Sequence, residues 1–298
     1  VKDNVRIGEN AYVFYKVNPS ITNQNEGNSI SHVYRIPPII PVYDIAGNFA
    51  GTQAPHLSNS ENPVARQVRS KDNKNNDWQV VGNVFAEVDF LKHFTAKTSF
   101  GGTFDNYYYY SFNYTAYENA EGNTNANSFN EGAGYNSQWL WTNTVTYSNT
   151  FGRHDVKLLI GQEANKVYQR GFSAGRTNYF LTDPNYWTLN TGDPGGVSNS
   201  GGSPTERHLS SYFGRLDYNF DDRYIISGTL RRDASSVFAP DQQVGYFPSV
   251  SAGWRISKET FFSNVTFVND LKIRGGWGKA GSISNINPTN AYTLFASG

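Results

Sequence analysis

The sequence predicts an all-β fold, a transmembrane antiparallel β-barrel with long extracellular loops. Apolar residues alternate with polar ones along stretches of roughly ten to fifteen residues, and the breaks between the stretches are alternately short and long. Aromatic residues make up 15% of the chain and gather in or at the ends of these stretches. The sequence contains no apolar run of roughly eighteen residues, and none is expected, because a barrel strand turns only every second side chain to lipid.

The clearest elements are the stretches 78–90 and 94–104. In the first, Val84 and its even-numbered neighbours are apolar, whereas odd positions such as Asn83 and Glu87 are polar. A period of two indicates a strand, because successive side chains point to opposite faces of a sheet. The first stretch spans roughly 40 Å, which a tilt of about 45° reduces to roughly 28 Å of height, enough to cross a bilayer.

An earlier stretch precedes these two, and six more follow with the same alternation, so that we expect about nine strands. The earlier one covers 5–17, and the later ones cover 139–147, 156–164, 212–220, 224–230, 250–256 and 271–277.

The breaks between the strands supply a second argument. Outer-membrane barrels join their strands by short turns on the periplasmic side and by long loops outside. The break after the first strand, about sixty residues long, is predicted to be an extracellular loop, so the first strand runs outward and the later strands keep the resulting alternation. The connection 258–270 is longer than a periplasmic turn and is predicted to hold a short helix or turn at the rim. Short breaks fall at 91–93, 149–153 and 221–223, and long ones at 105–137, 169–208 and 234–247.

Composition excludes several classes of function. The chain has 25 basic and 25 acidic side chains and no basic run, which argues against a nucleic-acid partner. It has no Cys, which excludes thiolate metal sites and Cys nucleophiles. The 5 His are scattered without metal-binding spacing, and no Gly-x-Ser-x-Gly elbow or phosphate loop occurs. We therefore predict no enzyme, no catalytic residue, no metal ligand and no cofactor.

Odd and even positions along each strand point to opposite faces of the wall, and this parity divides the candidate residues between the two faces. Large aromatic residues on the apolar parity are predicted to form the lipid-face girdle, which fits them better than stacking on a substrate. Charged residues on the opposite parity are predicted to face the lumen, either as a ladder that supports the wall or meets a plug, or as substrate contacts. The girdle candidates are Trp78, Phe90, Tyr212, Tyr224, Trp254 and Trp277, and the lumen-facing charges are Arg215, Asp217, Arg231, Asp233, Arg255 and Arg274.

The loops are the predicted place of ligand recognition, because a rigid wall positions variable loops for binding. Aromatic residues surrounded by Asn and Gln could stack on sugar rings and bind hydroxyl groups. The alternative is that these residues pack the loops on one another and on a lid. The candidates for substrate or lid contact are Tyr107, Tyr109, Tyr110, Tyr114, Tyr186 and Trp187.

The segment 210–281 resembles the SusC/RagA-type TonB-dependent transporters of Bacteroidetes outer membranes through a series of motifs in the same order. An upstream segment from Pro37-Pro38 through Asp44 to Gly47-Asn48 resembles an extracellular loop motif of the same family. The motifs that carry the match are the strand 212–220, Asp221-Asp222-Arg223-Tyr224, Arg231-Arg232-Asp233, Gly245-Tyr246-Phe247-Pro248-Ser249, Gly253-Trp254-Arg255-Ile256 and the strand 275–281.

The resemblance implies TonB-dependent import of glycans, oligosaccharides or peptides across the outer membrane. It implies a SusD-like surface lipoprotein as a lid, and TonB, ExbB and ExbD as the source of energy. It also implies a barrel of 22 strands, closed by residues outside this sequence because open strand edges have no partner in lipid. We expect the chain to be a multi-pass portion of one barrel domain, without the plug, the TonB box or the N-terminal domain. The alternatives are a structural or adhesion barrel and a passive porin-like channel.

Overall fold

The computed structural model describes residues 4–19, 29–202, 204–283 and 286. Within this part, ten strands form a single antiparallel sheet. The strands are β1 (Val5–Pro19), β2 (Lys74–Phe90), β3 (Phe94–Asn113), β4 (Ser128–Phe151), β5 (His154–Thr177), β6 (Val197–Gly201), β7 (Thr205–Phe220), β8 (Tyr224–Ser235), β9 (Val244–Arg255) and β10 (Lys272–Gly278).

Strand order follows chain order, β1-β2-β3-β4-β5-β7-β8-β9-β10, with the short β6 paired to the side of β5. Every neighbouring pair is antiparallel, so the predicted all-β antiparallel wall is confirmed. Among the described residues, β1 and β10 each have one neighbouring strand.

The register explains the period-two pattern of the sequence. Val84 pairs with Phe100, and Phe100 pairs with Trp141, so the apolar parity continues from strand to strand on one face. Asn83 pairs with Gly101 on the opposite face, where Asn83 Nδ2 donates to Ser99 Oγ at 2.8 Å. The sheet therefore has one apolar face and one polar face.

The predicted turns on the short side are present. Leu91 and Lys92 have φ of 49° and 60°, and Asp221 and Asp222 have φ of 56° and 55°. Such left-handed conformations reverse the chain within three residues, and Asp tolerates them better than most side chains. The longer connection after β9 holds two short 3₁₀ helices, Ile256–Lys258 and Thr260–Phe262, in agreement with the predicted short helix or turn.

The extent of the strands differs from the sequence prediction. More than half of the expected loop 105–137 and nearly half of the expected loop 169–208 are sheet, because β3 runs to Asn113 and both β4 and β5 have 24 residues. A bilayer requires only about 9–11 residues per strand, so these strands extend beyond it. Outside lipid both faces are wet, and the apolar alternation that marks a strand disappears. β6 was missed for the same reason, since all five of its residues are exposed.

Helices lie in the connection between β1 and β2, which was predicted only as a loop. They are α1 (Ser29–Arg35) and α2 (Pro63–Ser70). Two further 3₁₀ helices, Pro184–Tyr186 and Leu189–Thr191, follow β5. Within the described ranges, no helix is both long and apolar enough to cross a membrane.

Candidate functional site at the extracellular loops

An aromatic cluster fixes the loop after β5 to the ends of β3 and β4. The rings of Phe112 and Trp187 stack at 4.8 Å between centroids with an interplanar angle of 6°. Tyr179 meets Phe112 edge-on at 5.5 Å, and Phe129 completes the buried group. Trp187 Nε1 donates to the carbonyl oxygen of Thr182 at 3.0 Å. Since burial is the main cause that raises the pKa of Tyr179, its hydroxyl stays protonated and donates to the Thr188 carbonyl.

The loop between β1 and β2 is held by a buried Asn62. Its Oδ1 accepts hydrogen bonds from the backbone N–H groups of Val64 and Ala65, which caps α2. Its Nδ2 donates to the carbonyl oxygens of Val42 at 2.9 Å and Ala50 at 2.8 Å. All the main hydrogen-bonding groups of this carboxamide are therefore used, and one side chain ties three parts of the loop together.

Buried polar contacts also attach α1 to the segment before α2. His32 is 4% exposed, and its Nδ1 accepts from the backbone N–H of Glu61 at 3.0 Å. Ser60 Oγ donates to the His32 carbonyl, and Thr52 Oγ1 donates to the Ser60 carbonyl at 2.7 Å. Burial lowers the pKa of His32, so the neutral imidazole is the form that fits.

An ion pair joins this loop to the next one along the wall. Arg69, at the end of α2, donates to Glu118 Oε1 at 2.6 Å and to Oε2 at 3.3 Å. Burial opposes the ionisation of Glu118, but the hydrogen bonds from Arg69 and from the Tyr117 N–H outweigh it, so the pKa of this carboxyl is held below its ordinary value. Glu118 is therefore the charged partner of a bidentate pair.

A cavity of about 340 Å³ lies between these two loops. It sits where β2 begins and β3 ends, at the end of the sheet opposite the short turns. Its lining is mainly polar, and it consists of Glu61, Asn62, Arg66, Arg69, Ser70, Asn73, Ser111, Phe112, Asn113, Tyr114, Ala116, Glu118, Asn119, Gly122 and Thr124.

The six predicted loop aromatics occupy three different environments. Tyr107 and Tyr109 lie over glycines of β4 and β5, so that a Cβ added at Gly134 would stand 2.4 Å from Tyr107 Oη. Tyr110, Tyr114 and Trp187 pack in or against the aromatic cluster, and Tyr186 is 50% exposed. Tyr114 is the one member of the six that also lines the cavity. A ligand-binding role for the six stays a prediction.

Sequence reasoning did not find the other cavity residues. Arg66, Phe112 and Asn119 come together only through the packing of segments distant in sequence. One local signal was available, since Asn62 followed by Pro63 is typical of a helix N-terminus.

The predicted wall charges form short ion-pair networks on the polar face. Arg231 contacts Glu163 at 2.8 Å and Asp233 at 2.7 Å, and it also donates to the buried Ser211 Oγ. Arg215 Nε donates to both carboxylate oxygens of Asp217, and Arg215 Nη2 donates to Oδ1. Such networks are consistent with a supporting ladder, and a role in substrate contact stays a prediction.

The remaining two predicted wall arginines lie nearer the short turns. Arg255 pairs with Asp222 in the turn before β8. Arg274, on β10, has no ion pair within the described part of the chain. The wall charges therefore differ in how strongly they are held.

The six predicted girdle residues lie on the apolar parity and are between 37% and 64% exposed. Tyr224 pairs with Trp254, which places both on one face, and Trp277 pairs with Val250 on the same face. Trp78 stacks on Tyr15 at 4.5 Å. Phe90 and Tyr212 belong to the same parity of β2 and β7. Their contact with lipid stays a prediction.

The described residues contain no group of three or more His, Cys, Asp or Glu side chains arranged to hold a metal ion. The chemistry of the loop cavity is instead that of hydrogen bonding and ring contact.

Comparison with known proteins agrees with the fold. Residues 15–298 match the family described as TonB dependent receptor-like, beta-barrel. TonB-dependent receptor P3 of Formosa agariphila is 29% identical over 275 residues, which cover 91% of this chain and 26% of that protein. TonB-dependent receptor SusC of Bacteroides thetaiotaomicron is 31% identical over 246 residues, covering 78% of this chain and 22% of that protein.

The fold is similar to that in a solved structure of the RagAB peptide transporter, with a TM-score of 0.75 and 20% sequence identity. The aligned region covers 93% of this chain and 31% of the matched chain. At this identity the likeness concerns the fold. The chain spans less than a third of the length of each of these proteins. Their names are those of receptors and transporters, in agreement with the prediction that the chain is not an enzyme. From the match over 15–298 and from the antiparallel wall, the chain belongs to the TonB-dependent receptor-like β-barrel family of the outer membrane.

Proposed function

We propose that the chain forms part of the wall and extracellular loops of an outer-membrane importer. Its substrates are oligosaccharides or peptides, its energy comes through TonB, ExbB and ExbD, and a SusD-like surface lipoprotein covers its loops. The relatives named SusC and RagAB support this proposal. No covalent chemistry is required of the wall.

The observation that carries the proposal is the contrast between the two faces of one continuous sheet. One face presents apolar side chains such as Val84, Phe100 and Trp141 in register. The opposite face carries paired charges such as Arg231 with Glu163. A wall between lipid and a polar lumen needs this division, because an unpaired charge in hydrocarbon is costly.

We also propose that the wall is one section of a larger barrel. In the described residues β1 and β10 are the ends of the sheet order, and edge strands in lipid leave N–H and C=O groups without partners. Barrels of 22 strands hold a plug in the lumen, which suits a gated importer. The mass of the intact polypeptide from a native membrane preparation tests this part of the proposal, and a 33.3 kDa polypeptide contradicts it.

The import function is tested by uptake of labelled oligosaccharides and peptides in the native host, with and without a protonophore. We expect that deletion of the gene abolishes uptake of one substrate class and that the protonophore has the same effect. The full-length protein in a planar bilayer should show no steady conductance. Steady conductance with uptake that resists the protonophore indicates a passive channel, and surface binding without uptake indicates an adhesion barrel.

A further inference from the structure

The cavity between α2 and the segment after β3 has the size of a small-ligand site. Pockets for small molecules have volumes of roughly 300–1,000 Å³, and this cavity, at about 340 Å³, lies at the lower limit. It accommodates one ring-sized unit rather than an extended chain. The ion pair between Arg69 and Glu118 and the Asn62 cap hold its two sides in place.

The charges in the lining cancel. Arg66 contacts Glu61 at 2.6 Å, and Arg69 contacts Glu118 at 2.6 Å, so each guanidinium has its own carboxylate. An anionic ligand would compete with the two carboxylates, and a cationic ligand would compete with the two guanidinium groups. The lining therefore favours a neutral ligand.

The uncharged part of the lining suits hydroxyl groups. Carboxamides offer both a donor and an acceptor, and Asn73, Asn113 and Asn119 all line the cavity. Asn73 Oδ1 already accepts from the Phe112 N–H, and Asn113 Nδ2 already donates to Ser128 Oγ, so these two residues offer a ligand the Nδ2 and the Oδ1 respectively. Ser111 adds a hydroxyl group, and the ring of Tyr114 adds an aromatic surface. A neutral ring that carries several hydroxyl groups, such as one sugar unit, matches this combination.

Two buried side-chain atoms of the lining have no hydrogen-bond partner. They are Asn119 Oδ1, on a side chain that is 3% exposed, and Arg66 Nε. Buried polar atoms are nearly always paired in folded proteins, so an unpaired acceptor and an unpaired donor in the lining of one cavity need an explanation. Both atoms have almost no accessible surface, so contact with a ligand hydroxyl group requires the lining to move, and the binding proposed below includes that movement.

We propose that this cavity is a binding subsite for one neutral, polyhydroxylated sugar unit, with Asn119 and Arg66 as the residues that recognise its hydroxyl groups. The inference rests on the proposed import function, because it names the substrate class that the loops of that importer hold. It assigns the subsite to the cavity and not to the exposed ring of Tyr186.

The test uses the full-length protein in nanodiscs and isothermal titration calorimetry. The probes are neutral gluco-, xylo- and manno-oligosaccharides, with an oligogalacturonate as the charged probe and trialanine as the peptide probe. We expect at least one neutral oligosaccharide to bind and the other two probes to show no binding. Trialanine binding without saccharide binding, or no binding of any neutral oligosaccharide at millimolar concentration, overturns the proposal.

Two variants locate the subsite. Asn119→Leu keeps the approximate shape of the side chain and removes the unpaired acceptor, together with the long 3.5 Å bond from Nδ2 to Glu118 Oε1. It should weaken saccharide binding at least tenfold and change the melting temperature little. Arg66→Lys keeps the charge beside Glu61 and removes Nε, and it carries the test if the first variant does not fold. Asn199→Ala, on the exposed β6, is the matched control and should bind normally.

The two proposals fail separately. Saccharide binding that neither Asn119→Leu nor Arg66→Lys weakens overturns the subsite, whatever the uptake assay shows. Saccharide binding that depends on Asn119 but is followed by no energised uptake refutes the import function and leaves the subsite standing.

Discussion

Arg69 of α2 forms a bidentate ion pair with Glu118, a residue 49 positions later in the chain. The pair joins the loop between β1 and β2 to the loop between β3 and β4, and it forms part of the cavity lining. Glu118 is only 8% exposed, so water could not take the place of Arg69 as the partner of its charged carboxylate.

Replacement of the carboxylate should loosen the contact between the two loops. In Glu118→Gln one charge-assisted hydrogen bond is lost and Arg69 is left without its anion, which we expect to lower the free energy of local opening by about 1–3 kcal/mol. Hydrogen exchange of α2 measures this opening. Glu121→Gln is the matched control, since exposed Glu121 accepts only a 3.4 Å bond from Asn59. Equal exchange in both variants would contradict the structural role of the pair.

The packing of α1 should depend on pH through His32. Burial lowers the pKa of this residue from its ordinary 6.5, so the unfolded loop takes up a proton more readily than the packed loop. The contribution of neutral His32 to the stability of this loop is therefore complete above about pH 6.5 and decreases as the pH falls below that value. Protonation also places a hydrogen on Nδ1, which now accepts from the Glu61 N–H.

Hydrogen exchange over residues 29–62, compared at about pH 7.5 and about pH 5.5, measures this loss. The His32→Asn variant offers an acceptor that does not titrate, and its exchange should depend less on pH. A loss of protection that is equal in both proteins would assign the effect to other groups.

The sequence predicted the wall well where one face meets lipid. Val84, Phe100 and Trp141 repeat with period two because hydrocarbon excludes polar side chains from their face. The upper part of β4, at 128–137, has only polar residues and glycines on one face, and polar residues such as Glu131 interrupt the apolar ones on the other, so the sequence predicts a loop there. Its strand structure is due to pairing with β3 and β5, which local sequence does not encode.

The cavity was less predictable than the wall. Tyr114 was among the predicted loop residues, whereas the helix that begins after Asn62 was not predicted, although Asn62 followed by Pro63 is a local signal for it. The position of Asn119 against α2 depends instead on contacts such as that of the Ala120 N–H with Thr52 Oγ1, which span 68 positions in sequence. Contacts at such separation have no periodic signal along the chain.

The extended part of the wall depends on a close fit between Tyr107 and Gly171. A Cβ at Gly171 would lie 2.4 Å from Tyr107 Oη, while its next neighbours are 3.4 Å or more away. Gly171→Ala should therefore destabilise the protein by about 1–3 kcal/mol through overpacking. The double variant Gly171→Ala with Tyr107→Phe removes the clashing oxygen and should recover most of this loss, as thermal unfolding in detergent can show.

Gly228→Ala is the control for these variants, because a Cβ there has no neighbouring atom within 4 Å. It should change the melting temperature little. If Tyr107→Phe does not rescue Gly171→Ala, the destabilisation arises from the backbone and not from the tyrosine oxygen.

Arg231 should be the most important of the predicted wall charges. Its guanidinium group contacts Glu163 at 2.8 Å, Asp233 at 2.7 Å and Ser211 Oγ at 2.8 Å, so its removal leaves two carboxylates of like charge close together. Loss of one partner from a buried pair costs about 3–5 kcal/mol, and partial exposure of Arg231 reduces the expected cost of Arg231→Met to about 1–3 kcal/mol. A second change, Glu163→Gln, should restore part of the stability because it removes one of the two negative charges that repel each other.

Arg274→Met is the matched control, since Arg274 has no ion pair among the described residues and should tolerate the change. Thermal unfolding of the three variants beside the parent measures these differences. A loss in Arg274→Met as large as that in Arg231→Met would show that the ion pairs of Arg231 contribute nothing specific to stability.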